Sequence, residues 1–229
     1  MTGSDSGERL TGVSGPHAHQ PLVTAGAPAL AAEAALVCCH GRGATAQGVI
    51  NLLNPVSRHG VAVLAPQAER SRWYPRRASE PRSTNEPWLS SSVDCVRAAL
   101  ERADAIGVPP ERTVVTGFSQ GACVAAEFVR RNPVRYGGLA ILSATLPGSI
   151  DELESATIDG PLAGTPVLIG YGEDDPHVDP EHAAETARVF SDADAAVDDR
   201  CYPETGHVVT DDEFDAIGSM LETALEGGD

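Results

Sequence analysis

The chain has 229 residues, enough for one domain with its own core, and its 41% hydrophobic content is that of a soluble globular protein. Aromatic residues make up only 4%, so Ala, Val and Leu must build most of that core. A formal charge of −17 argues against a nucleic-acid partner, which would require clustered Lys and Arg, and no apolar run reaches the ~18 residues of a membrane span.

The opening stretch MTGSDSGERLTGVSG offers no apolar segment for a signal peptide. A cytoplasmic address is therefore expected, with residues 1–18 a disordered tail and residues 19–229 a single domain. The five cysteines are odd in number and form no C-x-x-C pair, which speaks against a disulfide framework or zinc site. Four of them sit in apolar segments, where a free thiol acts as a small buried hydrophobe.

Along the chain, short β-rich runs alternate with helical patterns. AALVCCH (residues 34–40) reads as a strand that ends in the glycine-rich turn GRGATAQG, and residues 46–56 carry apolar groups at helical spacing. VAVLAP (61–66) is the next strand, followed by a long Arg-, Pro- and Ser-rich loop over residues 67–87. Residues 88–107 form an amphipathic pattern with Val93, Val96, Leu100 and Ile106 on one side. RTVVTG is a strand, and SQGACVAAEFVRRN a helix stopped by Asn132-Pro133. GGLAILSA and TPVLIGY are two more buried strands, PEHAAETARVFSD is a helix, and VDDRCYPETGH is a last strand and turn. DDEFDAIGSMLETALE closes the chain as a helix, its acids at the N-terminus where the helix dipole favours them. Strands that are apolar throughout, alternating with helices, predict an α/β fold with a mostly parallel sheet covered on both faces. Sites in such sheets form at the C-terminal ends of strands.

Four turns after strands hold reactive or polar residues. The first, Gly117-Phe118-Ser119-Gln120-Gly121, places a serine where a buried strand passes into a helix, the setting of a nucleophile elbow. The second, His40-Gly41-Arg42-Gly43-Ala44, follows an earlier strand, and its small residues let backbone N–H groups approach a ligand. A nucleophilic serine needs two such donors for the developing oxyanion; the N–H groups of Gln120 and Arg42 are the natural pair. His40 reads as a loop-holding residue. The third turn, GYGEDDPHVDP, offers Glu173, Asp174, Asp175 and Asp179 as the acid, and the fourth holds His207 after the last strand. Of the other histidines, His17 and His19 fall in the tail, His59 ends a helix, His182 faces outward from one, and His177 shares the turn with the candidate acids. The chain order Ser, acid, His is that of α/β-hydrolases, in which the base takes the serine proton and the acid holds the base's tautomer.

The segments HGRGA (40–44), APQ (65–67), WYP (73–75), NEPWL (85–89), GFSQGA (117–122), LSATLP (142–147), GEDDPHV (172–178) and GH (206–207) span nearly all of the chain beyond the tail. Together they resemble the phospholipase/carboxylesterase family of α/β-hydrolases, which includes acyl-protein thioesterases and bacterial carboxylesterases. The resemblance implies an α/β-hydrolase fold with little or no lid and a serine esterase that needs no metal or cofactor. The family's G-x-x-D-x-x-V turn selects Asp175 as the acid, beside Ser119 as nucleophile and His207 as base, with the oxyanion hole at Arg42 and Gln120. HGRGA in place of the HGLGD of the thioesterase branch points to the carboxylesterase branch. HVDP in place of VVP alters the packing behind Asp175.

Trp73, Tyr74, Trp88 and Phe118 are candidate substrate-binding residues, with Trp73 and Trp88 alternatively anchoring the loop over 67–87. With no large insertion after LSATLP, an open site suited to short or soluble esters is expected. A lysophospholipase or thioesterase with the same machinery is the alternative, and a catalytically silent binding module a third. The partner expected is a small-molecule ester, and both monomers and homodimers fit the fold.

All 16 basic residues are Arg, and most acids lie after residue 150, where only Arg188 and Arg200 offset them. This surface repels itself at low salt and is screened by counterions, a composition that reads as adaptation to a high-salt cytoplasm. The thermal midpoint should therefore rise steadily with KCl up to molar concentrations; a flat response in a melting series would overturn the salt-adaptation reading.

Overall fold

The computed structural model describes residues 8–227. A single eight-stranded sheet runs in the order β1 (Glu8–Arg9), β2 (Pro21–Gly26), β4 (Val61–Pro66), β3 (Ala34–Cys39), β5 (Thr113–Phe118), β6 (Gly138–Leu142), β7 (Pro166–Gly172) and β8 (Ala196–Tyr202). The six strands from β3 to β8 are parallel to their neighbours, whereas β2 pairs antiparallel with β4 and β1 antiparallel with β2. Parallel pairing requires crossovers, and helices supply them: α1 (Ala46–Leu52), α2 (Trp88–Ala105), α3 (Gln120–Arg131), α4 (Ile150–Glu154) and α5 (Pro180–Ser191), with α6 (Asp211–Glu226) after the last strand.

The continuous apolar strands have a direct physical cause. In β3, Ala35, Val37 and Cys39 enter the core under α2 and α3, and Ala34, Leu36 and Cys38 enter a second core under α1 and α6. β6 divides in the same way, Leu139 and Ile141 to one face, Ala140 and Leu142 to the other. Both faces are dry, so alternation disappears from the sequence. Cys38, Cys39, Cys95 and Cys123 are buried free thiols, and Cys201 is exposed.

Helix ends follow local chemistry. The Thr45 hydroxyl accepts the Gly48 N–H at 3.0 Å to start α1. This helix stops at Leu52, short of the expected residue 56, because Pro55 cannot continue the hydrogen-bond ladder and residues Asn54–Val56 tighten into a 3-10 turn. α6 opens with a capping box between Thr210 and Glu213, with Asp211 and Asp212 in its first turn.

Two expectations need correction. Residues 8–18 are not a disordered tail: β1 extends the sheet, Leu10 is 6% exposed, and His17 is completely buried. Residues 1–7 lie outside the described residues. β2 has no counterpart among the expected elements, because only Leu22 of its six residues is buried and so small an inward set leaves no periodic signal. At the opposite edge, β8 is largely exposed, and Asp198, Asp199 and Arg200 along it discourage pairing with another sheet edge.

On α3, the fully buried carboxylate of Glu127 accepts two hydrogen bonds from Arg130 (2.7 and 2.8 Å) and one from Arg131 (2.7 Å), with the Arg82 guanidinium 3.9 Å away. Burial opposes its ionisation, but the Arg130 hydrogen bonds and the three positive charges outweigh it and hold the carboxyl below its ordinary range. A depressed folded-state pKa adds stability above the ordinary carboxylate range and loses it as the pH falls through the depressed value. Glu127→Gln leaves three guanidinium groups without their central partner, and denaturant titration at neutral pH should show a loss of about 3–5 kcal/mol. The gap to the wild type should narrow as the pH is lowered below the carboxylate range; a pH-independent gap would contradict this assignment.

Candidate active site

β5 runs into α3 through one residue. Ser119 adopts φ 55° and ψ −126°, a left-handed conformation that a non-glycine residue holds only when its surroundings impose it. The Ser119 N–H donates to the Leu142 carbonyl at 2.9 Å, and the serine carbonyl accepts the Ala122 N–H at 2.9 Å as the helix begins. The glycines on either side are required by space. A Cβ on Gly117 would lie 2.5 Å from the Gly121 carbonyl carbon, and one on Gly121 would fall on the carbonyls of Cys39 and His40. The serine is half-buried at the carboxyl edge of the sheet, above the helix N-terminus.

β7 and β8 end level, with Gly172 opposite Tyr202, so the turns that follow them lie side by side. Backbone hydrogen bonds clasp them: Glu173 N–H to Tyr202 O at 2.8 Å and Asp174 N–H to Thr205 O at 2.9 Å. Gly172 has no room for a Cβ against the Thr205 carbonyl. This clasp sets Asp175 Oδ2 2.8 Å from His207 Nδ1, while Asp175 Oδ1 accepts the His177 N–H at 2.9 Å. Asp175 is 5% exposed; Glu173, Asp174 and Asp179 face solvent. The His207 ring sits between Phe118 (centroids 4.8 Å apart) and His177 (4.8 Å, edge-on). Phe118 also borders Gly41, whose hypothetical Cβ would be 3.5 Å from the Phe118 ring and 3.7 Å from Ser119 Cβ. Ser119, Gly41, Phe118 and His207 thus share one patch of the sheet edge, and Asp175 lies behind the histidine. Among the described residues Ser119 Oγ makes no hydrogen bond; in enzymes without substrate such contacts are often loose. Ser143 supports the patch from β6, its hydroxyl donating to Val208 O at 3.2 Å.

The backbone N–H groups of Arg42 and Gln120 find no acceptor among the described residues. Their side chains, by contrast, are fully engaged on one loop. Arg42 donates to the carbonyls of Tyr74 (3.0 Å), Pro75 (3.2 Å) and Arg76 (2.8 Å). Gln120 accepts the Trp73 N–H at 3.0 Å and donates to Tyr74 O at 2.8 Å. The polar Gln120 side chain, buried at the start of an apolar helix, therefore has a structural task. His40 holds the base of the same loop: Nδ1–H donates to Gly41 O at 2.8 Å, and Nε2 accepts the Ala68 N–H at 3.1 Å. This pattern requires the neutral ring, and burial lowers its pKa accordingly.

Several expectations change here. Trp73 and Tyr74 do not form a substrate wall; they are 0% and 1% exposed. The Trp73 indole N–H donates to His40 O at 2.7 Å, and the Tyr74 phenol lies against the Cys123 thiol, its pKa raised by burial. Trp88 is half-buried between the His17 ring (5.5 Å) and the Arg72 guanidinium (5.2 Å), an anchor rather than a surface. Of the four candidates only Phe118 stands beside Ser119 and His207. A long Arg-rich loop hides its anchoring aromatics because their partners lie far away in sequence. His182 does not face outward: both ring nitrogens are buried without a partner among the described residues. His17, expected in a tail, is buried against Trp73, and nothing local in its sequence marks it. Among the described residues no group of three or more His, Cys, Asp or Glu side chains is arranged to hold a metal ion, and no helix is long and apolar enough to cross a membrane.

A mostly parallel sheet whose central strand turns through a strained serine into a helix, with a carboxylate–histidine pair on neighbouring strand ends, defines an α/β-hydrolase fold. Residues 22–225 match the phospholipase/carboxylesterase family, and the chain belongs to that family. The crystal structure of a phospholipase/carboxylesterase from Dyadobacter fermentans superposes with a TM-score of 0.81 and 33% identity, covering 89% of this chain and 96% of that one. A probable carboxylesterase, SOBER1-like, from Arabidopsis thaliana is 28% identical over 178 residues, which is 76% of this chain and 64% of the plant protein. Acyl-protein thioesterase 1 of Kluyveromyces lactis is 24% identical over 144 residues, 60% of this chain and 61% of that protein. The chain thus spans less than two thirds of the length of these two curated relatives.

Gly121→Ala tests the close packing on which the site rests. It should destabilise the fold by about 3 kcal/mol or more in chemical denaturation; native-like stability would contradict the contact with the Cys39 and His40 carbonyls.

Proposed function

We propose that the protein is a serine carboxylesterase that hydrolyses short-chain or soluble carboxylic esters. The observation that carries this reading is the Asp175–His207 hydrogen bond of 2.8 Å, set in the patch that also holds Ser119 in its strained turn. Asp175 keeps the proton of His207 on Nδ1, which leaves Nε2 as the base. Ser119 Oγ attacks the ester carbonyl carbon and gives its proton to Nε2. The negative charge that develops on the carbonyl oxygen is received by the N–H groups of Arg42 and Gln120, at the head of α3. The tetrahedral species collapses, the C–O bond to the alcohol breaks, and the alcohol leaves with the proton from Nε2. Water then gives a proton to Nε2 and attacks the acyl-enzyme, and a second collapse returns the proton to Ser119 and releases the acid.

The preference for small esters rests on access. Between β6 and β7 the chain forms only the five-residue α4 and short turns, and the aromatic residues of the 67–87 loop are turned into the core. Half-exposed Phe118 and exposed His177 remain to meet the substrate. A second reading, an acyl thioesterase with the same machinery, is favoured by the relatives named acyl-protein thioesterase. Hydrolysis of thioesters in preference to oxygen esters of equal acyl length would support it.

Ser119→Ala should lower kcat on p-nitrophenyl butyrate by about four to six orders of magnitude and abolish labelling by a fluorophosphonate. Labelling that persists in this variant would remove Ser119 from the role. In the wild type, kcat/KM on the acetate or butyrate should exceed that on the palmitate, and the reverse order would refute the open-site reading.

A further inference from the structure

We propose that His17 is a positioning residue for the oxyanion hole, acting through the strained turn at residues 69–73; this rests on the role given above to the Arg42 and Gln120 N–H groups. His17 lies more than a hundred residues before Ser119, yet it is completely buried among the groups that surround the site. Its Nδ1 accepts the Glu69 N–H at 3.0 Å and its Nε2–H donates to the Trp73 carbonyl at 2.8 Å. One neutral imidazole therefore spans both ends of the turn. The ring itself is fixed: its backbone N–H donates to the Ser91 hydroxyl of α2 at 3.0 Å, and it packs edge-on against Trp73 at 5.6 Å and Trp88 at 5.5 Å.

The turn needs such a brace. Arg70 (φ 51°) and Ser71 (φ 54°) are consecutive non-glycine residues in the left-handed region, a conformation that persists only when outside contacts impose it. Its other bonds reach both oxyanion residues. On one side the Ser71 carbonyl accepts the Gly43 N–H at 2.7 Å, next to Arg42. On the other, the Trp73 N–H donates to Gln120 Oε1 at 3.0 Å, and the Trp73 indole N–H donates to His40 O at 2.7 Å. Tyr74 O then accepts from the side chains of Arg42 and Gln120 together. The two backbone donors come from different strand ends, after β3 and β5, and this turn is the element tied to both. If it relaxes, the distance between the donors changes while the Ser119, His207 and Asp175 positions, which depend on β5, β7 and β8, do not. His17 should therefore affect the tetrahedral stage of the reaction more than binding of the ester.

Three variants separate this from plain support of the fold. His17→Phe keeps a ring and removes both hydrogen bonds. His17→Gln presents an amide donor and acceptor on adjacent atoms and can reach the Trp73 carbonyl, whereas the shorter His17→Asn keeps the Glu69 side only. Each is counted by end-point fluorophosphonate labelling, then assayed on p-nitrophenyl butyrate and with a trifluoromethyl ketone inhibitor, which binds serine as a tetrahedral oxyanion. Per labelled site, His17→Phe and His17→Asn should lose about ten- to a hundredfold in kcat, less than removal of a whole donor. Their KM should stay within about twofold, and affinity for the ketone should fall in parallel with kcat. His17→Gln should recover most of both. If His17→Phe does not fold, the Gln and Asn pair decides. Equal kcat per labelled site in wild type and variants, whatever the change in melting temperature, would overturn the proposal and leave the Ser119 reading intact. Failure of the wild type to label at Ser119 would remove both.

Discussion

The contact between the β5–α3 turn and the end of β3 is the constraint on which the rest of this structure depends. Gly121 meets the Cys39 and His40 carbonyls with no room for a side chain, and Gly117 meets the backbone of Gly121. Because the first turn of α3 is pressed onto the neighbouring strand end, Ser119 is held at positive φ, and the residues after β3 are brought beside it. Parallel pairing then does the remainder of the assembly. β7 and β8 end level, their turns clasp, and a carboxylate and an imidazole from residues 32 positions apart meet at 2.8 Å.

Around this frame the polar interior is organised by neutral histidines and one amide. His17 and His40 each donate through one ring nitrogen and accept through the other, and in both cases burial favours the uncharged form. Gln120 completes the set by pairing with the backbone of Trp73 and Tyr74. The loop over residues 67–87 is thereby fastened at many points, although its regular structure is limited to short 3-10 turns at Glu69–Ser71 and Arg82–Asn85. Farther along α3, the charged cluster about Glu127 ties the C-terminal half of this helix to Arg82 of the same loop. Both ends of α3 therefore hold one segment, the first through hydrogen bonds and the second through ion pairs.

The strands β3 to β7 and the helices α2, α3, α5 and α6 were legible in the residues because they are long, periodic or continuously apolar. β1 and β2 were not. They are antiparallel additions at one edge, with few buried side chains, and their stability comes from pairing with β4 rather than from their own pattern. The aromatic loop residues misled for a related reason. Trp73 beside four arginines looks like a surface feature, and only its carbonyl, amide and indole partners, from His17, Gln120 and His40, show that it faces inward.

For this protein the sequence by itself determined the order of β3 to β8 and of the longer helices between them, the glycine-flanked serine at a strand-to-helix junction, and a histidine after the last strand, because these follow from local sterics, periodicity and chain order. Tertiary structure decided whether the tryptophans line the site or anchor the loop, that His182 faces inward, and that His17 belongs to the interior. Each of those outcomes depends on which atoms from distant segments come within hydrogen-bond range, and sterics local to the chain carry no record of that distance.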